Sequence, residues 1–161
     1  MAVQSFIVDS VAVLNEQNRV FAICDRVFWR DRANFQSNQR IQRLALREIQ
    51  SPNRANFLEH LGESVSRAQR NGGQLAVFMI DIDRFKLVNE SCGHKVGDRL
   101  LHRVARRVSA VMPREEKLFR VGGDEFAFVL GGDNPTRDAA ELGQRILAAL
   151  AGTFQVNDRA I

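Results

Sequence analysis

Two sets of carboxylates sit where ordinary surface chemistry explains them poorly. In Arg120-Val121-Gly122-Gly123-Asp124-Glu125-Phe126, two glycines and two adjacent acids interrupt an apolar stretch. Gly-Gly permits positive φ and lets a bulky anion approach bare backbone. Neighbouring carboxylates repel, and a hard cation such as Mg²⁺ relieves that repulsion while presenting a bound triphosphate. Taken alone, the run reads better as a plain hairpin turn with solvated acids. Company upstream shifts the balance: Leu75 to Ile80 is an apolar run that ends in Asp81-Ile82-Asp83. A buried strand there delivers Asp81 to its carboxyl end, where ligands bind in α/β folds. The two segments together predict a magnesium-nucleotide site with Asp81 as a second metal ligand.

The elements that must position these residues are legible from periodicity. Phe119 to Val121 and Phe126 to Leu130 read as strands joined through the glycines as a hairpin, with Asp124 and Glu125 alternating across the strand. Asp83 fits either the ligand set or, better, the cap of a helix beginning at Arg84. Gly93-His94-Lys95-Val96-Gly97-Asp98 reads as a loop opening a helix with Leu101, Val104, Ala105, Val108 and Met112 on one face and Arg99, Arg103, Arg106 and Arg107 largely on the other. Asp98 then falls near the first turn, where dipole stabilisation and a ligand role are equally available. Asn53 to Asn71 predicts a helix with Phe57, Leu58, Leu61, Val65 and Ala68 inward, ended by Gly72-Gly73, and Asn134-Pro135 starts another with Ala139, Leu142, Ile146, Leu147 and Leu150 inward. This order gives an α+β, ferredoxin-like palm: a mixed antiparallel sheet with helices packed on it.

Residues 1–52 are less patterned. Val11 to Leu14 and Arg19 to Ile23 suggest strand-turn-strand, faintly resembling part of a PAS sensor, with a simple hairpin or helical leader as the plainer reading; Phe28 and Trp29 would then pack, and Asn34 to Gln50 predicts a connecting helix. The expected organisation is a leader over 1–52 and one catalytic-type domain over 53–161, cut at its C-terminus.

Three linked motifs carry a resemblance: Asp81-x-Asp83-x-Phe85-Lys86-x-x-Asn89, then Gly93-His94-x-x-Gly97-Asp98, then Arg120-x-Gly122-Gly123-Asp124-Glu125-Phe126. In order and spacing they resemble the GGDEF family of diguanylate cyclases, which condense two GTP into cyclic di-GMP on a nucleotidyl-cyclase-like palm. The resemblance implies that Asp81, Glu125 and the backbone carbonyl of Ile82 hold Mg²⁺ (or Mn²⁺), with Asp124 sharing the cluster. It implies that Asn89 and Asp98 recognise guanine, that Lys86 contacts phosphate, and that Phe85, Gly122 and Gly123 border the substrate. Arg120 either projects towards phosphate or is a surface arginine of the strand, and His94 reads as a structural hydrogen-bonding residue. Each domain would hold one GTP, so a homodimer is needed, and an attached sensor or phosphodiesterase domain is a possible companion.

Departures from the family pattern mark the alternative, a catalytically inactive module that binds GTP to regulate an attached output domain. The opening Asp-x-Leu-Thr-x-Leu-x-Asn-Arg is replaced by Leu46 to Arg54, of which only Pro52-Asn53-Arg54 survives. Phe154-Gln155-Val156 looks like the opening of a strand whose partner is missing, and the family's later Lys and Arg contacts to the triphosphate lie beyond Ile161. The inhibitory Arg-x-x-Asp is replaced by Pro113-Arg114-Glu115-Glu116, with Arg114 shifted by one position. A third reading is an α/β interaction domain whose acids are solvated turn residues.

Composition fits a single cytoplasmic domain. The chain has 161 residues, 45% hydrophobic, enough for one core. Cys24 and Cys92 are too few for a disulfide framework, three histidines show no zinc spacing, and Met1 to Leu14 lacks the apolar core of a signal peptide. A net charge of +4 suits anionic partners in general, but without aromatic interleaving it gives no specific nucleic-acid reading.

Overall fold

A computed structural model describes residues 6–14, 20–23, 52–132, 135–156 and 159–161. The elements are β1 (Phe6–Leu14), β2 (Val20–Ile23), α1 (Pro52–Asn71), β3 (Gln74–Ile82), α2 (Phe85–Cys92), α3 (His94–Val111), β4 (Phe119–Arg120), β5 (Glu125–Gly132), α4 (Pro135–Leu150), β6 (Gln155–Val156) and β7 (Arg159–Ala160). Phe28, Trp29 and the connecting helix expected over Asn34 to Gln50 lie outside the described residues.

β3 is apolar at nearly every position because both of its faces are covered. Ala76, Phe78, Ile80 and Ile82 point to one side, where they meet Phe126, Phe128 and Leu130 of β5 and the inner faces of α2, α3 and α4. Leu75, Val77 and Met79 point to the other, packing with Val121, Ala127 and Val129 against Phe57 of α1. The period of two along the strand therefore splits one sequence run into two cores. Phe78 and Phe128 are cross-strand partners, and their rings stack at 4.2 Å with 10° between planes, both fully buried.

The main sheet runs β2-β1-β3-β5-β4, and each pairing in it is antiparallel. Helices packed on such a sheet give the expected α+β architecture. The N-terminal strand-turn-strand forms as β1 and β2, and β1 lies along β3 from Phe6↔Ile82 to Leu14↔Leu75, with an irregularity between Val8 and Ser10.

The helices match their predicted faces. In α1, Phe57 is buried and Leu58, Leu61, Val65 and Ala68 pack on the second core. Gly72 ends the helix at φ 62°, and the N–H of Gly73 returns to the Ala68 carbonyl at 2.8 Å. In α4, Pro135 takes the first turn, where no donor is missed, and Ala139, Leu142, Ile146 and Leu150 are buried, with Leu147 partly so.

Three expectations are corrected. β6 has its partner: Gln155 pairs with Ala160 and Val156 with Arg159, while Phe154 and Ile161 exchange two backbone hydrogen bonds of 2.9 Å. The helix after Gly93 begins at once, so Gly97 and Asp98 lie within α3 rather than in a loop. Asp83 is not the N-cap residue of α2: that position is Arg84, with no side-chain cap bond, in the left-handed region at φ 58° and ψ 24°. Arg84 is the only positive-φ residue other than glycine among the described residues. Strained backbone of this kind clusters at functional sites.

Candidate active site at the signature hairpin

The site grows from the end of the β3–β5 ladder. The register runs unbroken from Gln74↔Gly132 to Asp81↔Glu125, which makes the last pair two acidic residues opposed on adjacent strands, each part-exposed. Directly opposed residues have Cβ atoms about 4.5–5.5 Å apart, and like charges directly opposite each other are unfavourable in a sheet.

The turn between β4 and β5 is held from both sides. The Glu125 carbonyl accepts from the N–H groups of Val121 at 2.9 Å and Gly122 at 3.3 Å. Arg120 Nη2 donates to the Gly123 carbonyl at 2.6 Å. Arg120 therefore staples the signature turn, which neither of the roles predicted for it anticipated. The glycines also work differently from expectation, since neither Gly122 nor Gly123 has positive φ. Gly122 is needed for room: a Cβ there would fall within 3.1 Å of Glu125 Cβ and Cδ and closer still to its carboxylate. A Cβ on Gly123 would meet nothing within 4 Å. The side chain of Glu125 thus folds over Gly122.

Asp81, Glu125 and the Ile82 carbonyl offer hard oxygen donors that suit Mg²⁺. Asp124 lies in the turn, one residue outside β5. Among the described residues no three His, Cys, Asp or Glu side chains gather to hold a metal.

The left-handed turn at Arg84 sends the next residues in opposite directions. Phe85 enters the core, 8% exposed, and Lys86 stands in solvent with Nζ 3.7 Å from Glu90. Such an exposed pair is weak and leaves the lysine available. One turn on, Asn89 Oδ1 is buried without a hydrogen-bond partner. Asn89 packs against Gly97 of α3, the residue before Asp98. Asp98 is exposed on the rim of a cleft of about 550 Å³, also lined by Asn53, Leu101, His102, Phe119, Arg120 and Phe126. His94 is exposed and the cleft does not include it.

The structure thus brings Asp81 to Glu125, Arg120 to the glycine turn, and Asn89 to the neighbour of Asp98. Sequence reasoning missed Asn53 and His102. Asn53 had a signal, since Pro52-Asn53-Arg54 is the surviving end of the opening motif, and Arg54 is the one buried charged side chain among the described residues, 6% exposed. His102 gave none, because a lone histidine on a basic helix looks solvated.

The fold and this arrangement define an α+β domain whose antiparallel sheet, covered by helices, ends in two opposed acidic residues. The family model described as "Diguanylate cyclase, GGDEF domain" matches residues 50–161, and the chain belongs to the GGDEF family. It is 36% identical over 107 residues to the diguanylate cyclase TpbB of Pseudomonas aeruginosa, covering 66% of this chain and 25% of that protein. It is 41% identical over 99 residues to the cyclic di-GMP phosphodiesterase PdeB of Shewanella oneidensis, covering 62% of this chain and 11% of that one. The crystal structure of the GGDEF domain of TpbB superposes with a TM-score of 0.65 at 33% identity, covering 71% of each chain. The chain spans between about a tenth and a quarter of the length of these two curated relatives. No described helix is long and apolar enough to cross a membrane.

Proposed function

We propose that this domain binds one GTP and, facing a second copy, condenses two GTP into cyclic di-GMP in the cytoplasm. The observation that carries the reading is the opposition of Asp81 and Glu125 beside the bare turn at Gly122 and Gly123. A site that costs repulsion when empty is arranged for a cation and the polyphosphate it accompanies.

Asp81, Glu125 and the Ile82 carbonyl would hold Mg²⁺ or Mn²⁺. When bound, such ions lower the pKa of a ribose 3′-hydroxyl and neutralise charge on the departing pyrophosphate. The chain's own groups orient the reactants. Asp98, on the cleft rim, accepts from the N1–H and exocyclic amine of guanine, and the Asn89 amide addresses the remaining edge. Adenine presents the wrong donors and acceptors to this pair, and a polar group left unpaired once the base closes it from water costs about 1–3 kcal/mol. Lys86 supplies a flexible cation to phosphate. The attacking 3′-oxygen bonds to the α-phosphorus of the facing GTP as the bond to pyrophosphate breaks, and the hydroxyl proton leaves to solvent. No covalent enzyme intermediate is required. Reciprocal attack needs two domains face to face, so the rate should fall faster than enzyme concentration on dilution to monomer.

A second reading, a GTP-binding module that regulates an attached output domain, is supported by the likeness to PdeB. Incubating the purified chain with GTP and Mg²⁺, beside Glu125→Gln, and resolving the products by chromatography decides between the two. Cyclic di-GMP from the parent alone supports the cyclase. GTP that binds but stays unchanged supports the module, and no binding at all sinks both.

A further inference from the structure

Gly97 sits in the first turn of α3, where glycine is still a costly choice: it loses the most conformational entropy of any residue on ordering, and nothing here exploits its freedom, since its φ is not positive. A local rule broken in this way calls for another reason.

That reason is room. An added Cβ would collide with Asn89 Oδ1, approach Asn89 Cγ at 3.0 Å and Phe85 Cζ at 3.2 Å. Gly97 is buried, so α2 and α3 meet at this point with the Asn89 amide filling the space a side chain would take. Asn89 Oδ1 is closed off there with no donor opposite it. The amide is the flexible end and yields first, while the Phe85 ring must give by a few tenths of an ångström: with a methyl group at 97, the amide swings away and the helix pair survives.

We infer that Gly97 is a positioning residue for base recognition, kept as glycine so that the Asn89 amide is held in one orientation beside Asp98. The inference rests on the guanine-binding reading above and deepens it. Its consequence is that fold stability and nucleotide selectivity separate at this position. A methyl group favours the helix and spoils the base contact.

The test measures binding of α,β-methylene GTP and α,β-methylene ATP, which cannot release pyrophosphate, by calorimetry in Mg²⁺, together with thermal melting. Gly97→Ala should melt at or above the parent, bind the guanine analogue about tenfold more weakly, and leave affinity for the adenine analogue unchanged. The double variant Asn89→Ala/Gly97→Ala should bind no more weakly than Asn89→Ala alone, because the second change acts only through the first. Full additivity, equal losses for both analogues, a lowered melting temperature, or parent-like guanine binding by Gly97→Ala would each overturn the inference. If Asn89→Ala itself binds the guanine analogue like the parent, the guanine reading fails instead, which keeps the two failures apart.

Discussion

Asp81 and Glu125 face each other as the last pair of the β3–β5 ladder, where the eight-pair register ends. Like charges directly opposite each other on neighbouring strands are unfavourable. Neutralising one member by Glu125→Gln should raise stability without divalent ions by about 0.2–1 kcal/mol. The same change should remove any stabilisation by Mg²⁺ with GTP and abolish cyclic di-GMP formation. Urea unfolding with and without Mg²⁺ and GTP reads both effects.

Gly122→Ala should act on Glu125 rather than on the turn. The turn does not use positive φ, so alanine fits the backbone, but its methyl group displaces the Glu125 side chain. The expected outcome is a near-normal melting temperature and a loss of product formation close to that of Glu125→Gln. Gly123→Ala, which meets open space, should retain far more activity.

Arg120→Ala should loosen the signature turn. Its guanidinium is exposed, so removing the bond to the Gly123 carbonyl should cost no more than about 0.5–1.5 kcal/mol overall. Faster hydrogen exchange at Gly122 to Asp124, with little change elsewhere, is the expected signature.

Arg107 fastens α3 to the segment after α4. It donates to the carbonyls of Gly152 at 2.6 Å, Thr153 at 2.8 Å and Ala149 at 3.4 Å, and its guanidinium lies 3.8 Å over the Phe154 ring. Arg107→Ala should destabilise the domain by about 1–3 kcal/mol in urea unfolding. Arg107→Lys should recover little, since an ammonium lacks the planar fork. Nucleotide binding should be unaffected at temperatures where the variant is folded.

Much of the fold was legible because its determinants are local. Helix faces follow the 3.6-residue period, and Gly72 and Pro135 punctuate as their backbone preferences require. The candidate site was legible where carboxylates interrupt apolar runs, as at Asp81 and Glu125, which the register sets opposite each other. What escaped depends on distant contacts. The role of Gly122 exists only because Glu125 folds back on it, and that of Gly97 only because α2 brings Asn89 alongside. The Asp83 cap failed for a related reason: the turn out of β3 passes through a left-handed Arg84, which no propensity favours. The pairing of β1 with β3 crosses about seventy residues and leaves no mark in either strand.

The unbroken β3–β5 register has a consequence for how such a domain can vary. With side chains alternating at a period of two, the ladder acts as a ruler whose last graduation is Asp81. Inserting or deleting one residue within β3 turns that carboxylate to the opposite face, however well the core repacks. The span from Gln74 to Asp81 must therefore be inherited whole.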